Sequence, residues 1–129
     1  MPSTINNYPW TDKQLIEPSV LAASLQNTPE KQPLILNIGA VEDIMGAKHI
    51  GAVSKPENMK MLEDIVSALP KTTEIVIYCG CCPFVKCPNI RPAFLQLQKL
   101  GFTDVKLLNL PVNLQSGWIS KGYPLAANR

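Results

Sequence analysis

Apolar residues recur along this chain in two alternating rhythms. Short, nearly continuous runs at Leu34-Ile35-Leu36-Asn37-Ile38-Gly39, Glu74-Ile75-Val76-Ile77-Tyr78 and Val105-Lys106-Leu107-Leu108-Asn109 predict buried strands. Between and around them, apolar residues spaced three and four apart predict helices. Glu17-Pro18-Ser19 opens one whose face is Val20, Leu21 and Leu25, ending near Gln26. Ser54-Lys55-Pro56-Glu57 has the pattern of a capping box, and Met59, Leu62, Val66 and Leu69 follow until Pro70 stops the run. A third helix carries Phe94, Leu97 and Leu100 and closes at Gly101. Lys48-His49-Ile50-Gly51-Ala52-Val53 reads as a further short strand, preceded by a loop with a candidate helical turn at Val41-Glu42-Asp43-Ile44. A last helical turn, Trp118-Ile119-Ser120-Lys121, stops at Gly122-Tyr123-Pro124, and residues 1–14 read as an irregular extension anchored by Tyr8 and Trp10.

Strands alternating with helices across short connections predict an α/β fold: an open, mostly parallel sheet with helices on both faces, one domain over residues 1–129. Ligands of such sheets sit beyond the carboxyl ends of the strands. Charged residues make up 17% of the chain and the net charge is +2, which excludes the basic field expected of a nucleic-acid binder. No apolar run approaches the ~18 residues of a membrane span, and the N-terminus lacks the basic and apolar regions of a signal peptide. A cytoplasmic protein without membrane contact is the expectation, or a periplasmic one if a signal peptide has been removed.

The four cysteines change this picture, because all of them lie between Cys79 and Cys87. A disulfide framework would spread them along the chain, so the clustering favours reactivity or metal binding over stapling. Cys79 ends an apolar strand, and Asn89-Ile90-Arg91-Pro92 opens the following helix. A thiol placed near a helix N-terminus and an arginine is stabilised as its thiolate, and the same N–H groups suit an anionic substrate or a persulfide. Arg91 stands where the helix dipole disfavours a cation, as it would with an anion to bind. The competing interpretation of Cys79 is a small buried hydrophobe.

Cys81, Cys82 and Cys87 admit three roles. They could complete a four-thiolate metal site with Cys79, although adjacent Cys81 and Cys82 project differently from the paired ligands of such sites. They could form a local disulfide or resolve an oxidised Cys79, and Cys79-Gly80-Cys81-Cys82 fits the C-x-x-C pattern of dithiol-disulfide oxidoreductases. They could also only shape the loop. A phosphatase loop, C-x5-R, fails at every cysteine, since Val85, Cys87, Pro88 and Ala93 occupy the arginine position. His49, the single histidine, has no carboxylate partner evident in the sequence and reads as structural, and Trp118 reads as a core anchor.

The order of these features resembles the rhodanese-like domain family. Lys48-His49-Ile50-Gly51-Ala52 is similar to the family's G-H-I-x-G-A, and Val76-Ile77-Tyr78-Cys79 to its strand ending in the active-site cysteine. Arg91 with Gly101-Phe102 resembles the helix after that loop and its G-F exit, and Trp118 to Pro124 resembles its closing W-x-x-x-G-Y-P. The resemblance spans residues 15 to 125 and implies a single-domain sulfurtransferase. In such an enzyme Cys79 takes a sulfane sulfur from a small anionic donor such as thiosulfate and passes it from a persulfide to a thiol or cyanide acceptor. Gly80, Asn89, Ile90 and Arg91 would surround the persulfide and balance its charge, and no metal or organic cofactor is implied. Cys81, Cys82 and Cys87 could resolve the persulfide or act as alternative nucleophiles, Cys87 in particular because it lies closer to Arg91 in the sequence. Asn37-Ile38-Gly39 replaces the family's D-V-R, Asn113-Leu114 replaces its G-G, and the cysteine loop is longer than usual. A rhodanese-like binding module without turnover, using the loop for a metal or a protein partner, is the alternative.

Overall fold

A computed structural model describes residues 10–26, 32–39, 41–79, 89–110 and 113–126. Five parallel strands, β1 (Leu15–Ile16), β2 (Leu34–Asn37), β3 (Lys48–His49), β4 (Ile75–Tyr78) and β5 (Val105–Leu108), form one sheet in the order β1-β5-β4-β2-β3. The order makes β4 the central strand, flanked by β2 and β5. All four of its side chains are buried, as an apolar run with no polar face requires.

Alternation along the strands divides the core into two layers. Leu36, Ile75, Ile77, Val105 and Leu107 point to one face, where they meet Leu62 and Val66 of α2 (Pro56–Val66) and Ile90, Ala93, Phe94 and Leu97 of α3 (Ile90–Lys99). Ile35, Val76, Tyr78 and Leu108 point to the other, against Leu21 of α1 (Pro18–Ser24), Leu114 of α4 (Leu114–Gly117) and Trp118. Helices thus cover both faces of an all-parallel sheet, the arrangement its apolar strands demand.

Local chemistry sets the helix boundaries. Pro18 and Pro56 occupy the first turns of α1 and α2, where a missing N–H costs nothing. The exit of α3 is a Schellman motif: Phe102 N–H bonds Leu97 O at 3.1 Å, Gly101 N–H bonds Gln98 O at 3.0 Å, and Gly101 takes φ +96°. Phe102 and Leu97 both join the core beneath it. Trp118 is fully buried as a core anchor, with its ring N–H donating to Pro124 O at 2.9 Å and Tyr123 edge-on at 5.1 Å.

Several expectations are corrected. The segment from Lys48 pairs only through His49, because the N–H groups of Ile50 and Gly51 both turn to Asn37 O. The N-cap of α2 is Lys55, without a side-chain cap bond, so Ser54 does not form the capping box. No helical turn forms at Val41–Ile44, whose carbonyls and N–H groups are taken by the side chains of Asn37 and Tyr78. The stretch assigned to an irregular extension includes a 3-10 turn at Asp12–Gln14 leading into β1, while Trp10 is the anchor expected of it, buried against Phe94 with ring centroids 5.8 Å apart. The expected end of α1 near Gln26 and the final helical turn are both present, at Ser24 and as a 3-10 turn at Ile119–Lys121, but the turn is preceded by the unexpected α4, capped by Asn113 Oδ1 on the Ser116 N–H at 2.8 Å. Tyr8 lies outside the described residues.

Candidate active site

The carboxyl end of β4 carries two residues of opposite fate. Tyr78 points to the α1/α4 face and Cys79, one residue on, to the α2/α3 face, so a single step of the strand separates a structural hydroxyl from a thiol.

Cys79 is buried, with 1% of its surface exposed. Its sulfur accepts a hydrogen bond from Asn89 Nδ2 at 3.3 Å. Asn89, the N-cap residue of α3, is also buried, and its Oδ1 accepts from the Ser54 N–H at 3.0 Å. On another side the thiol lies against Gly39, where an added Cβ would stand 2.6 Å from Cys79 Sγ and 2.7 Å from Cys79 O. This contact gives the departure at Gly39 a physical reason, since any side chain there would displace the thiol. Two segments therefore meet at the sulfur, the exit of β2 and the start of α3, and the connection from β3 to α2 reaches it through Asn89.

That connection is itself fixed by asparagines. Ile50 and Gly51 donate to Asn37 O at 2.9 and 3.2 Å. Asn58 Nδ2 donates to Ala52 O at 2.9 Å and fills the space beside Gly51, which adopts φ +92°. Gly51 meets a real steric need, because a side chain there would be both strained and in contact with Asn58.

On the opposite face lies a second polar group. Asn37, Tyr78 and His49 stand in register across β2, β4 and β3. Asn37 is completely buried, and its Nδ2 lies 2.8 Å from Val41 O and 2.9 Å from Asp43 Oδ1. Tyr78 OH donates to Glu42 O at 2.8 Å and accepts from Ile44 N–H at 2.9 Å, and burial pushes its phenol well above its usual pKa. His49 does have a carboxylate partner, which the sequence did not reveal: Nδ1 lies 3.0 Å from Asp43 Oδ1. Nδ1 is also 3.3 Å from Asn37 Nδ2, but with an ionised Asp43 it must be the donor, so the Asn37 approach is a contact between two donors. Register puts His49 on the Tyr78 face, away from Cys79.

Of the site residues expected from sequence, Cys79 and Asn89 are brought into contact. Ile90 buries its side chain in the core at the first position of α3 and has only its backbone N–H to offer a ligand. Arg91, in the first turn of α3, places its guanidinium carbon 5.8 Å from the centroid of the Trp10 ring. Gly80, Cys81, Cys82 and Cys87 lie outside the described residues. Among the described residues, no group of three or more histidine, cysteine or acidic side chains could hold a metal ion, and no helix is long and apolar enough to cross a membrane. Gly39, Ser54 and Asp43 escaped sequence reasoning. Gly39 had a signal in its departure from the resemblance, whereas a backbone N–H such as that of Ser54 has none.

Comparison of the chain with family models, with curated proteins and with solved structures gave no match.

Proposed function

We propose that this protein is a sulfurtransferase or sulfur carrier of the rhodanese type that its sequence resembles, with Cys79 as the nucleophile. The observation that carries the reading is the position of the Cys79 sulfur. It lies at the carboxyl end of the central parallel strand, on a side-chain N–H donor from Asn89, the N-cap residue of the next helix. A thiolate there attacks the outer sulfur of thiosulfate, the sulfur–sulfur bond of the donor breaks, and sulfite leaves with the electron pair. The product is a Cys79 persulfide anion. A thiolate or cyanide acceptor then attacks the outer persulfide sulfur, and Cys79 departs as the thiolate that began the cycle. Both steps are displacements at sulfur, so neither calls for an external oxidant or reductant. Donor groups aimed at the inner sulfur favour its anionic form, both as attacking and as leaving group.

Thiocyanate formation from thiosulfate and cyanide tests the reading. Wild-type protein and Cys87→Ser are expected to turn over, and Cys79→Ser to be inactive. Activity retained in Cys79→Ser and lost in Cys87→Ser would transfer the role to Cys87.

A further inference from the structure

Asn89 holds the N-cap position of α3 but does not cap it. An asparagine in that position ordinarily accepts from an N–H of the first turn, which stabilises the helix. Here its backbone is helical, φ −100° and ψ −31°, and its side chain is directed elsewhere. One end of the amide meets Ser54 N–H at 3.0 Å and the other meets Cys79 Sγ at 3.3 Å, with the residue only 4% exposed.

The two partners fix which end is which. A backbone N–H can only donate, so the atom facing Ser54 must be the amide oxygen, and the atom facing sulfur must be the NH2 group. A flipped amide would set donor against donor at Ser54 and, with Cys79 as its thiolate, acceptor against acceptor at the sulfur. Ser54 is in turn held by the β3-to-α2 connection, which Asn37 and Asn58 anchor. The orientation of the Asn89 donor is therefore determined by chain more than thirty residues away, at Ser54, before any substrate arrives.

We propose that Asn89 is a positioning residue for sulfur transfer: its side-chain amide, locked by the Ser54 N–H, directs a donor at the Cys79 sulfur and favours the thiolate over the thiol. A neutral thiol is a weak acceptor and a thiolate a strong one, so a fixed donor discriminates between the two states. The inference rests on the reading of Cys79 as the reacting thiol, but its test does not require sulfur transfer.

The test is the pH dependence of Cys79 alkylation by iodoacetamide, resolved to the residue by fragmentation mass spectrometry, in wild-type protein, Asn89→Asp and Asn89→Ala. Asn89→Asp keeps an oxygen for Ser54 N–H and replaces the donor to sulfur with a carboxylate oxygen. Its alkylation midpoint is expected to rise by about one pH unit or more. Asn89→Ala removes the donor without adding charge and is expected to raise the midpoint by less. A purely structural role would lower the melting temperature and leave the midpoint in place. An unchanged midpoint in either variant, folded by circular dichroism, overturns the proposal. Thiosulfate treatment of the wild-type protein, followed by mass, tests the underlying sulfurtransferase reading separately.

Discussion

Gly39 and Cys79 approach so closely that a single methyl group between them would overlap three atoms of the cysteine. A Cβ on Gly39 would lie 2.6 Å from Sγ, 2.7 Å from the carbonyl oxygen and 3.0 Å from Cα. Two of these atoms are backbone of the residue that follows the central strand, which cannot yield as the tip of a flexible side chain would. Gly39→Ala is therefore expected to destabilise the protein by about 1–3 kcal/mol in urea denaturation, the usual penalty of overpacking. It should also depress sulfur transfer by moving the thiol. Unchanged stability and activity would mean that the two strand ends are further apart than described.

The Tyr78 hydroxyl joins the central strand to the loop after β2, serving Glu42 O as donor and Ile44 N–H as acceptor. Tyr78→Phe preserves the ring and leaves both backbone groups without that partner. A loss of about 1–3 kcal/mol is expected, with little effect on Cys79 alkylation, because the two side chains occupy opposite faces of the sheet. A stability change near zero in equilibrium unfolding would contradict the described bonds.

Alkaline pH should weaken the fold through two groups. Burial holds the Tyr78 phenol above its ordinary value, opposed by the Ile44 N–H bond and reinforced by Asp43 and Glu42. Burial alone would lower Lys106, but hydrogen bonds from its ammonium to Asp104 and Glu74 outweigh that and leave it raised. In both cases the native state keeps a proton that the unfolded chain releases near pH ~10, so the stabilisation is complete below that pH and is lost as pH rises through the native values. Urea midpoints measured between about pH 8 and about pH 11 should fall above ~10, and fall less steeply in Tyr78→Phe. Stability that rises over that interval would reverse the assigned sign.

His49 pairs with Asp43 but lies on the Tyr78 side of the sheet. His49→Ala is expected to leave thiocyanate formation within about twofold of wild type, a change far below the tenfold that 1.4 kcal/mol at the transition state would cause. A tenfold or greater loss would bring the Asp43–His49 pair into the reaction.

The sequence was most informative where burial alone determines structure. β2, β4 and β5 were visible as apolar runs, and α2 and α3 as repeating apolar faces, because those residues have no other way to leave water. β1 is two residues long and exists through its pairing with Leu107 and Leu108, which no local pattern announces. The same holds for the loop at Val41–Ile44, whose helical tendency loses to the distant side chains of Asn37 and Tyr78. At the site, Cys79 and Asn89 were legible as strand end and helix start. Their contact, its dependence on Ser54, and the partnership of His49 with Asp43 are tertiary, and became visible only once the strands were in register.

The central claim is that Cys79 carries transferable sulfur, and its most direct test is mass spectrometry of the intact protein and its loop peptides after thiosulfate treatment. One added sulfur atom is expected on Cys79, removed by cyanide and absent from Cys79→Ser. A protein that gains no sulfur, or gains it equally in Cys79→Ser, would contradict that claim.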